Sequence, residues 1–311
     1  MAFLFLVSDN FKLAPLFESK RQVVLSFLRE MGFLEQDSDV VKLQAGCRYG
    51  HIFSFDKLNI KEEQVREVRL KLKEFLSKLD LECDVLLLSK IPSLKERGIL
   101  IMDMDMTTVQ IEGIDEIARV LGVYDEVAAI TANAMQGHLD FASSLKLRVA
   151  KLKSQESASL VLNQVKSIMQ RTQGLEVLLP MLKSRSWVRG IASGGFTQLI
   201  SEIDKEYGLE VIKANTLEII DDKFTGKVVG EIVDAKGKRQ ALLQALADFK
   251  INTLQSIVIG DGANDLQMIK EASLGIAYHA KPKVVQEAEY ALSYSNLAAV
   301  WLLLELNHQI A

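Results

Sequence analysis

The chain is poor in the residues that mark disulfide-stabilised and disordered proteins. Its 311 residues include only two cysteines, Cys47 and Cys83, which form neither a Cys-x-x-Cys pair nor a cluster with histidine. We therefore expect free thiols in a reducing cytoplasm rather than a disulfide. Four prolines and the lack of any low-complexity tract argue against long disordered segments.

Long apolar runs and a strong excess of one charge are also missing. No apolar run approaches the roughly 20 residues of a membrane span, and the apolar residues 1–7 lack the basic segment of a signal peptide. The net charge of −4 gives no electrostatic basis for binding nucleic acid. We therefore expect a cytoplasmic protein that has neither nucleic acid nor a membrane as a partner.

Residues 1–90 have the pattern of a small α+β domain. Strands are predicted at 3–7, 40–43, 49–55 and 85–88, and amphipathic helices at 18–31 and 61–79. The order β-α-β-β-α-β predicts a ferredoxin-like (ACT-like) sandwich. Residues 91–97 are polar and contain a proline, which indicates a linker.

Residues 98–311 alternate between apolar strands and helical stretches. Strands are predicted at 99–102, 187–192, 210–213, 256–260 and 274–277, with a hairpin around Thr225-Gly226-Lys227. This alternation is typical of an α/β core with a doubly wound parallel sheet. An almost wholly helical insertion at about 112–180 follows the first strand, and its position suits a cap that closes over a site.

The segment at residues 103–107 reads Asp-Met-Asp-Met-Thr and directly follows the first strand of this core. Two carboxylates are thereby placed at the carboxyl end of a buried parallel strand, where ligands bind in open α/β sheets. A hard cation together with a phosphoryl group would balance the cost of burying the pair. The spacing permits one carboxylate to attack while the other transfers a proton. Read alone, the motif fits a solvated acidic turn equally well.

Three further segments are predicted to reach the same edge of the sheet. Ser193 and the two glycines after it lie between a strand and a helix, an arrangement that suits phosphate. A lysine at 236 or 238, at the entry to another helix, would neutralise a phosphoryl group. The acidic loop at 261–265 follows a third strand and suits Mg²⁺. Each feature has an ordinary structural explanation, but together they supply what phosphoryl transfer requires.

In this order the four segments resemble the four motifs of the haloacid dehalogenase-like (HAD-like) phosphatases. The resemblance is closest to the phosphoserine phosphatase family and covers about residues 98–295. It is carried by the segments at 103–108, 114–118, 134–137, 145–149, 192–196, 224–226, 260–265 and 277–282. It implies Mg²⁺-dependent hydrolysis of O-phospho-L-serine to serine and phosphate, which is the last step of serine biosynthesis.

The family pattern also implies the catalytic roles, residue by residue. Asp103 would be the nucleophile that forms an aspartyl-phosphate intermediate. Asp105 would protonate the leaving seryl oxygen and then activate water. Mg²⁺ would bind Asp103, the backbone carbonyl of Asp105 and Asp261, with Asp265 nearby. The cation would let an anionic carboxylate approach an anionic phosphate.

The resemblance further implies how the substrate is held. The residues expected to bind the phosphoryl end are Ser193, Gly194, Lys238 and Asn264, and the family spacing favours Lys238 over Lys236. Because phosphoserine presents an ammonium and a carboxylate, the pattern assigns Glu112 to the first and Arg148 to the second. Met135 and Phe141 would shield the pocket from water and strengthen these charge pairs.

Two positions depart from the family pattern. Met106 stands where a serine is expected, beside the phosphate, so turnover or substrate range could differ. Gly113 stands where the nearest relatives carry a cysteine, and it adds flexibility at the hinge of the cap. We still expect activity, because the residues that carry the chemistry are intact.

Two other functions stay open from the sequence alone. The same chemistry would serve transfer to another alcohol, such as homoserine, or hydrolysis of a different small phosphoester. A non-catalytic amino-acid sensor is the third hypothesis, since residues 1–90 resemble the regulatory domains attached to many amino-acid enzymes. The sequence allows a homodimer without requiring one.

Overall fold

The computed structural model of the chain describes residues 2–8, 13–30, 51–58, 64–88, 91–136 and 138–310. The chain forms two compact units. The first unit contains residues 1–99, 173–187 and 251–311, and the second contains residues 100–172 and 188–250. The domain boundaries predicted from the sequence, at 90 and 97, stay a prediction.

The amino-terminal part of the first unit is an antiparallel sheet with two helices. Its elements are β1 (Ala2–Ser8), α1 (Leu13–Glu30), β2 (His51–Leu58), α2 (Val65–Lys78) and β3 (Asp84–Leu88). β1 lies in the middle and pairs with both β2 and β3. Each element overlaps a predicted one. The strand predicted at 40–43 lies outside the described residues, so the four-stranded ferredoxin-like sheet stays a prediction.

The two helices of this part pack through their apolar faces. The rings of Phe27 and Phe75 stack with centroids 3.9 Å apart. Val24, Leu28, Leu72 and Leu76 are each no more than 1% exposed. Burial of each leucine contributes on the order of 1.5–3 kcal/mol. The amphipathic character predicted for the second helix is therefore confirmed at Leu72 and Leu76, whereas Phe75 and Leu79 of its apolar face are only half-buried.

The second unit begins within β4 (Ile99–Met102), whose four residues are all buried. Four helices follow: α3 (Gly113–Val120), α4 (Tyr124–Met135), α5 (Phe141–Lys151) and α6 (Ala158–Ile168). The chain then forms β5 (Val188–Phe196), α8 (Thr197–Tyr207), β6 (Val211–Ile220), β7 (Lys223–Val229) and α9 (Ala235–Asp248). β5 and β6 are parallel and are joined through α8.

The hairpin predicted around Gly226 has its turn elsewhere. β6 and β7 form the hairpin, and they pair antiparallel on either side of Asp221 and Asp222. Both aspartates have positive φ, 48° and 57°, as a two-residue turn of the primed type requires. The prediction of the turn at residues 225–227 was therefore wrong, although the predicted strand character of this region is confirmed.

The remaining part of the first unit is a parallel α/β arrangement. β8 (Ser256–Gly260), β9 (Leu274–Tyr278) and β10 (Tyr290–Leu292) are adjacent and parallel. Helices α10 (Leu266–Glu271) and α11 (Pro282–Glu287) connect them, and α7 (Leu175–Ser184) and α12 (Ala298–Ile310) complete the unit. The predicted α/β core with a parallel sheet is thus confirmed. Within the described residues, no helix has the length and apolarity to cross a bilayer.

Hydrogen bonds of Asp84 connect the amino-terminal sheet to this parallel part of the same unit. Its buried carboxylate accepts hydrogen bonds from the backbone amides of Ser293, Tyr294 and Ser295, at 2.6–3.2 Å. Burial nevertheless raises the pKa of Asp84, because the hydrogen bonds only partly offset its desolvation.

Candidate active site

The acidic motif of the second unit lies directly after β4. Asp103 is 5% exposed, and its Oδ1 accepts a hydrogen bond of 2.6 Å from the backbone amide of Met104. The amides of Thr108 and Val109 both donate to the carbonyl of Met104, which closes a tight turn. Met106 lies in this turn with φ of 53°, a left-handed conformation that costs an unbranched L-residue free energy.

Lys238 forms an ion pair with Asp103. Its Nζ lies 2.7 Å from Oδ2 of Asp103, and the two side chains are 0% and 7% exposed. Lys238 lies in the first turns of α9. The N-cap residue of this helix is Asp234, and its side chain accepts a hydrogen bond of 2.8 Å from the Gly237 amide. The competing Lys236 is exposed. Of the two lysines considered from the sequence, Lys238 is therefore the one that lies beside Asp103.

The Ser193 turn, residues 193–195, lies at the carboxyl end of β5. Ser193 is 1% exposed, and its Oγ accepts a hydrogen bond of 2.9 Å from the Gly195 amide. A Cβ atom on Gly195 would lie 3.0 Å from Oδ2 of Asp105, so the backbone here approaches the acidic motif closely. Only glycine permits that approach without displacing the carboxylate. The structure thus brings the Ser193 turn next to Asp105.

Asp105 is a carboxyl group of the site whose pKa is strongly perturbed. Burial raises its pKa well above the ordinary value, and the negative charges of Glu112 and Asp103 raise it further. The amide of Gly113 and the charge of Lys238 act in the opposite direction, but they are the weaker influences. Among the described residues, no hydrogen-bond partner reaches its buried Oδ1. A carboxyl in this setting holds a proton at a pH where ordinary aspartates have lost theirs.

The helical insertion contributes charged residues to the same region. Glu112 is the N-cap residue of α3, and Arg148 lies in the last turn of α5. Desolvation lowers the pKa of Arg148, whereas the carboxylates of Asp115, Glu112 and Asp105 counteract it. The Nε of Arg148 is buried without a hydrogen-bond partner in the described structure. The insertion thus presents a guanidinium that is electrostatically linked to the acidic motif.

The two predicted apolar residues of the insertion lie in different surroundings. Phe141 begins α5 and packs on the Ser193 turn, because a Cβ atom on Gly194 would lie 2.8 Å from its ring. Met135 ends α4 and is 71% exposed. The structure therefore brings Phe141, but not Met135, against the residues expected to hold phosphate.

Asp115 is a member of this charged group that the sequence reasoning missed. It lies in the first turn of α3, and its charge acts on that of Arg148. Burial raises the pKa of Asp115, and Arg148 and Arg119 oppose that shift. The signal was present in the sequence, because Asp115 lies three residues after Glu112 and therefore on the same side of a helix.

The acidic loop of the first unit lies at the carboxyl end of β8. A carboxylate oxygen of Asp261 lies within 4.8 Å of one of Asp265. Asp265 is fully buried and accepts a hydrogen bond of 3.0 Å from the Gly262 amide. A Cβ atom on Gly262 would lie 2.1 Å from Oδ1 of Asn264, so the side-chain amide of Asn264 faces the same loop. Two close oxygen donors, one of them fully buried, are the kind of set that suits a divalent cation.

The fold and these residues define a class of hydrolase. A family model for haloacid dehalogenase-like hydrolases matches residues 98–273, which is more than half of the chain. The chain therefore belongs to the haloacid dehalogenase-like hydrolases, a family whose phosphatases use a divalent metal.

Relatives narrow the class. The chain is 42% identical to the phosphoserine phosphatase of Vibrio cholerae serotype O1 over 220 residues, 71% of this chain and 66% of the relative. It is 42% identical to that of Haemophilus influenzae over 231 residues, 74% of this chain and 73% of the relative. Within its class, the chain is an enzyme of the phosphoserine phosphatase family. The aligned region spans just under two thirds of the Vibrio protein.

The fold extends the similarity along almost the whole chain. A HAD family hydrolase from Salmonella enterica serovar Typhi superposes with a TM-score of 0.80 at 30% identity, covering 98% of this chain and 99% of that one. The amino-terminal segment is thus included in a structural match, although it lies outside the matched hydrolase region at 98–273.

Proposed function

We propose that this chain is a Mg²⁺-dependent phosphatase that hydrolyses O-phospho-L-serine to L-serine and inorganic phosphate, the closing step of serine biosynthesis. The observation that carries the proposal is the buried pair of Asp103 and Lys238 beside a carboxyl, Asp105, whose pKa is raised. This arrangement supplies a charge-compensated nucleophile next to a group that holds a proton, as two-step phosphoryl transfer requires.

In the first half-reaction, an Asp103 oxygen attacks phosphorus and the bond from phosphorus to the seryl oxygen breaks. Asp105 gives its proton to the leaving oxygen, which yields serine and an aspartyl-phosphate. In the second half-reaction, Asp105 takes a proton from water, and the resulting hydroxide displaces phosphate from Asp103. The raised pKa of Asp105 supports this double role, because an ordinary aspartate would lack the first proton at neutral pH.

The phosphoryl oxygens are held, in this proposal, by Ser193, Gly194, Lys238 and Asn264. Lys238 is buried and carries the positive charge that an incoming phosphate would share with Asp103. Ser193 is equally buried and follows a parallel strand, so its hydroxyl and the next amides have little freedom to move. Fixed donors stabilise developing charge at a lower reorganisation cost than water does.

Asp261 and Asp265 fit a divalent cation, and we infer that Asp103 and the Asp105 carbonyl complete its ligands. Hard oxygen donors favour Mg²⁺ over softer metals. When bound, Mg²⁺ would neutralise phosphate charge. The residues of the chain contribute the preformed oxygen set, since the Asp265 carboxylate is fixed by the Gly262 amide.

Selectivity for an amino-acid phosphate is assigned to the insertion. Glu112 would bind the substrate ammonium, and Arg148 would bind its carboxylate, with Met135 and Phe141 excluding water. The buried and unpartnered Nε of Arg148 supports this part, since a desolvated guanidinium gains most from an anionic ligand.

We also propose that residues 1–90 form an ACT-like domain, that 91–97 are a linker, and that 98–311 are the catalytic part with its cap at about 112–180. The central position of β1 between two antiparallel neighbours supports a ferredoxin-like sheet. A fragment of residues 98–311 that folds and hydrolyses phosphoserine would bear out this division.

The test is phosphate release from O-phospho-L-serine, with Mg²⁺ and with EDTA. Phosphoethanolamine, which lacks the carboxylate, should have a kcat/KM lower by about 10- to 160-fold, because one charged hydrogen bond contributes roughly 1.5–3 kcal/mol. Lys238→Ala should abolish turnover, whereas the matched Lys236→Ala should leave it intact. An Asp103→Asn variant with full activity would refute the mechanism, and release from aryl phosphates alone would refute the substrate.

A further inference from the structure

We infer that Asn215 is a positioning residue that couples the Ser193 turn to the helix carrying Lys238. The inference deepens the proposed function and rests on it for the identity of the group that both segments hold. Asn215 lies on β6 and is 1% exposed. It belongs to none of the motifs that the sequence singled out.

The Asn215 amide bridges two segments that lie far apart in the sequence. Its Nδ2 donates a hydrogen bond of 2.8 Å to the carbonyl of Gly194. Its Oδ1 accepts one of 2.9 Å from the backbone amide of Val233. Because the donor and the acceptor of an amide share one rigid plane, the two hydrogen bonds fix the distance between these backbone groups.

On one side, the bridge continues to Lys238. Val233 is buried and immediately precedes Asp234, the N-cap residue of α9. The carbonyl of Asp234 accepts a hydrogen bond of 2.9 Å from the Lys238 amide. Lys238 in turn lies 2.7 Å from Asp103. A displacement of Val233 would therefore shift the start of α9 and, with it, the ammonium group of Lys238.

On the other side, the bridge replaces a hydrogen bond that the sheet does not supply. β5 and β6 pair at Ala192 with Lys213 and again at Phe196 with Asn215. Four residue steps on β5 thus face two on β6, so the Ser193 turn bulges out of the ladder. The Gly194 carbonyl, freed by the bulge, is bound by the Asn215 side chain instead of by the neighbouring strand.

The chemistry of the position is specific to asparagine. A leucine of similar volume would leave a buried carbonyl and a buried amide without partners, which costs more than the hydrogen bonds themselves. An aspartate would keep the acceptor for Val233 but would turn a second oxygen towards the Gly194 carbonyl. The two variants therefore separate loss of the whole bridge from loss of the Gly194 half.

The experiment compares full-length Asn215→Leu with Gln198→Leu as the matched control. Gln198 is also an amide that makes two hydrogen bonds to the backbone, at 2.8 and 3.2 Å, and both go to Leu217. Its Oε1 also accepts a longer hydrogen bond, of 3.3 Å, from the hydroxyl of Thr197, but it makes no hydrogen bond to residues 193–196 or 233–240 among those described. Hydrogen exchange is followed in peptides that cover residues 193–197 and 233–240, and the affinity for inorganic phosphate is measured by calorimetry with Mg²⁺.

We expect Asn215→Leu to accelerate exchange in both peptides at least tenfold and to weaken phosphate binding at least tenfold. Gln198→Leu should lower Tm without either effect. If the leucine variant does not fold, Asn215→Asp replaces it in the experiment. Asn215→Asp should weaken phosphate binding, while the peptide covering residues 233–240 stays protected from hydrogen exchange. Folded Asn215 variants in which the two peptides keep wild-type exchange would overturn the inference.

Failure of the proposed function gives a different result. A wild-type protein that does not hydrolyse phosphoserine refutes that function, but the exchange comparison needs no substrate and still decides the coupling. If Gln198→Leu changes exchange and phosphate affinity as much as Asn215→Leu does, the effect is general destabilisation and the inference is wrong.

Discussion

The ion pair of Lys238 and Asp103 predicts an energetic coupling that a double-mutant cycle can measure. The pair is nearly inaccessible to solvent, with a separation of 2.7 Å. Lys238→Met keeps most of the alkyl volume and removes the charge. Asp103→Asn keeps an oxygen that can accept the hydrogen bond from the Met104 amide and removes the charge. Each single variant therefore removes one charge of this pair and leaves the other buried.

The expected size follows from the geometry. Two unit charges 2.7 Å apart attract by about 6 kcal/mol at an effective dielectric constant of about 20. Desolvation of the two ions offsets much of this attraction, so the pair adds little net stability. Removing one partner forfeits the attraction while the other charge stays buried, which costs roughly 3–5 kcal/mol. The double variant buries neither charge, so we expect a coupling energy of about 3 kcal/mol.

The assay is urea unfolding of the wild type, both single variants and the double variant in EDTA, so that bound metal does not contribute. Equal m values are required for the four free energies to be compared. The exposed pair of Lys270 and Glu287, 3.0 Å apart on the surface of the first unit, is the matched control and should couple by no more than about 1 kcal/mol. A coupling for Lys238 and Asp103 as small as that of the control would refute the reasoning.

Three further predictions concern single residues. Because burial raises the pKa of Asp84, the folded chain binds a proton at this carboxyl more tightly than the unfolded chain does. The free energy of unfolding should therefore fall as the pH rises from about 4 towards the pKa of the folded state. Urea titrations of Asp84→Asn should lack this part of the pH dependence. Burial raises the pKa of Cys83 to about 12, so iodoacetamide at pH 8 should label it only after unfolding, and labelling of the native protein in peptide mass spectra would contradict this. Met106→Asn should raise the free energy of unfolding by up to about 1 kcal/mol, since asparagine tolerates the left-handed φ of 53° better than methionine, and a lower urea midpoint would count against this strain.

The strands of the parallel core could be predicted from the sequence because each is a short, continuous apolar run. The bounds predicted at 99–102 and 256–260 are those of β4 and β8, and every residue in both strands is buried. A strand covered on both faces needs no alternation, so composition alone marks it. The acidic residues that follow such runs were placed correctly at strand ends for the same reason.

The hairpin turn was misplaced because glycine has more than one use. Thr225-Gly226 gives a usual turn signal, but Gly226 lies within β7 with φ of 82°. A Cβ atom there would lie 3.2 Å from the carbonyl oxygen of Ala150 and 3.1 Å from the Lys153 side chain. The glycine thus lets the end of α5 approach the strand, while two aspartates form the turn. The sequence alone does not show which neighbouring segment requires a residue without a side chain at this position.

Burial and neighbouring charges explain why the raised pKa of Asp105 had to come from the structure. The pKa of Asp105 is raised by burial and by the charges of Glu112 and Asp103. Glu112 is placed by the start of α3, and Asp103 lies in the same turn as Asp105. A protonated Asp105 leaves Asp103 and Lys238 as a neutral pair, which is the least costly charge arrangement for a buried site. The raised pKa of Asp105 is thus in the direction that the proposed first step requires, because that step consumes a proton. The spacing of the motif predicted two carboxylates with different roles, whereas the raised pKa of Asp105 follows from neighbours that only the fold brings to it.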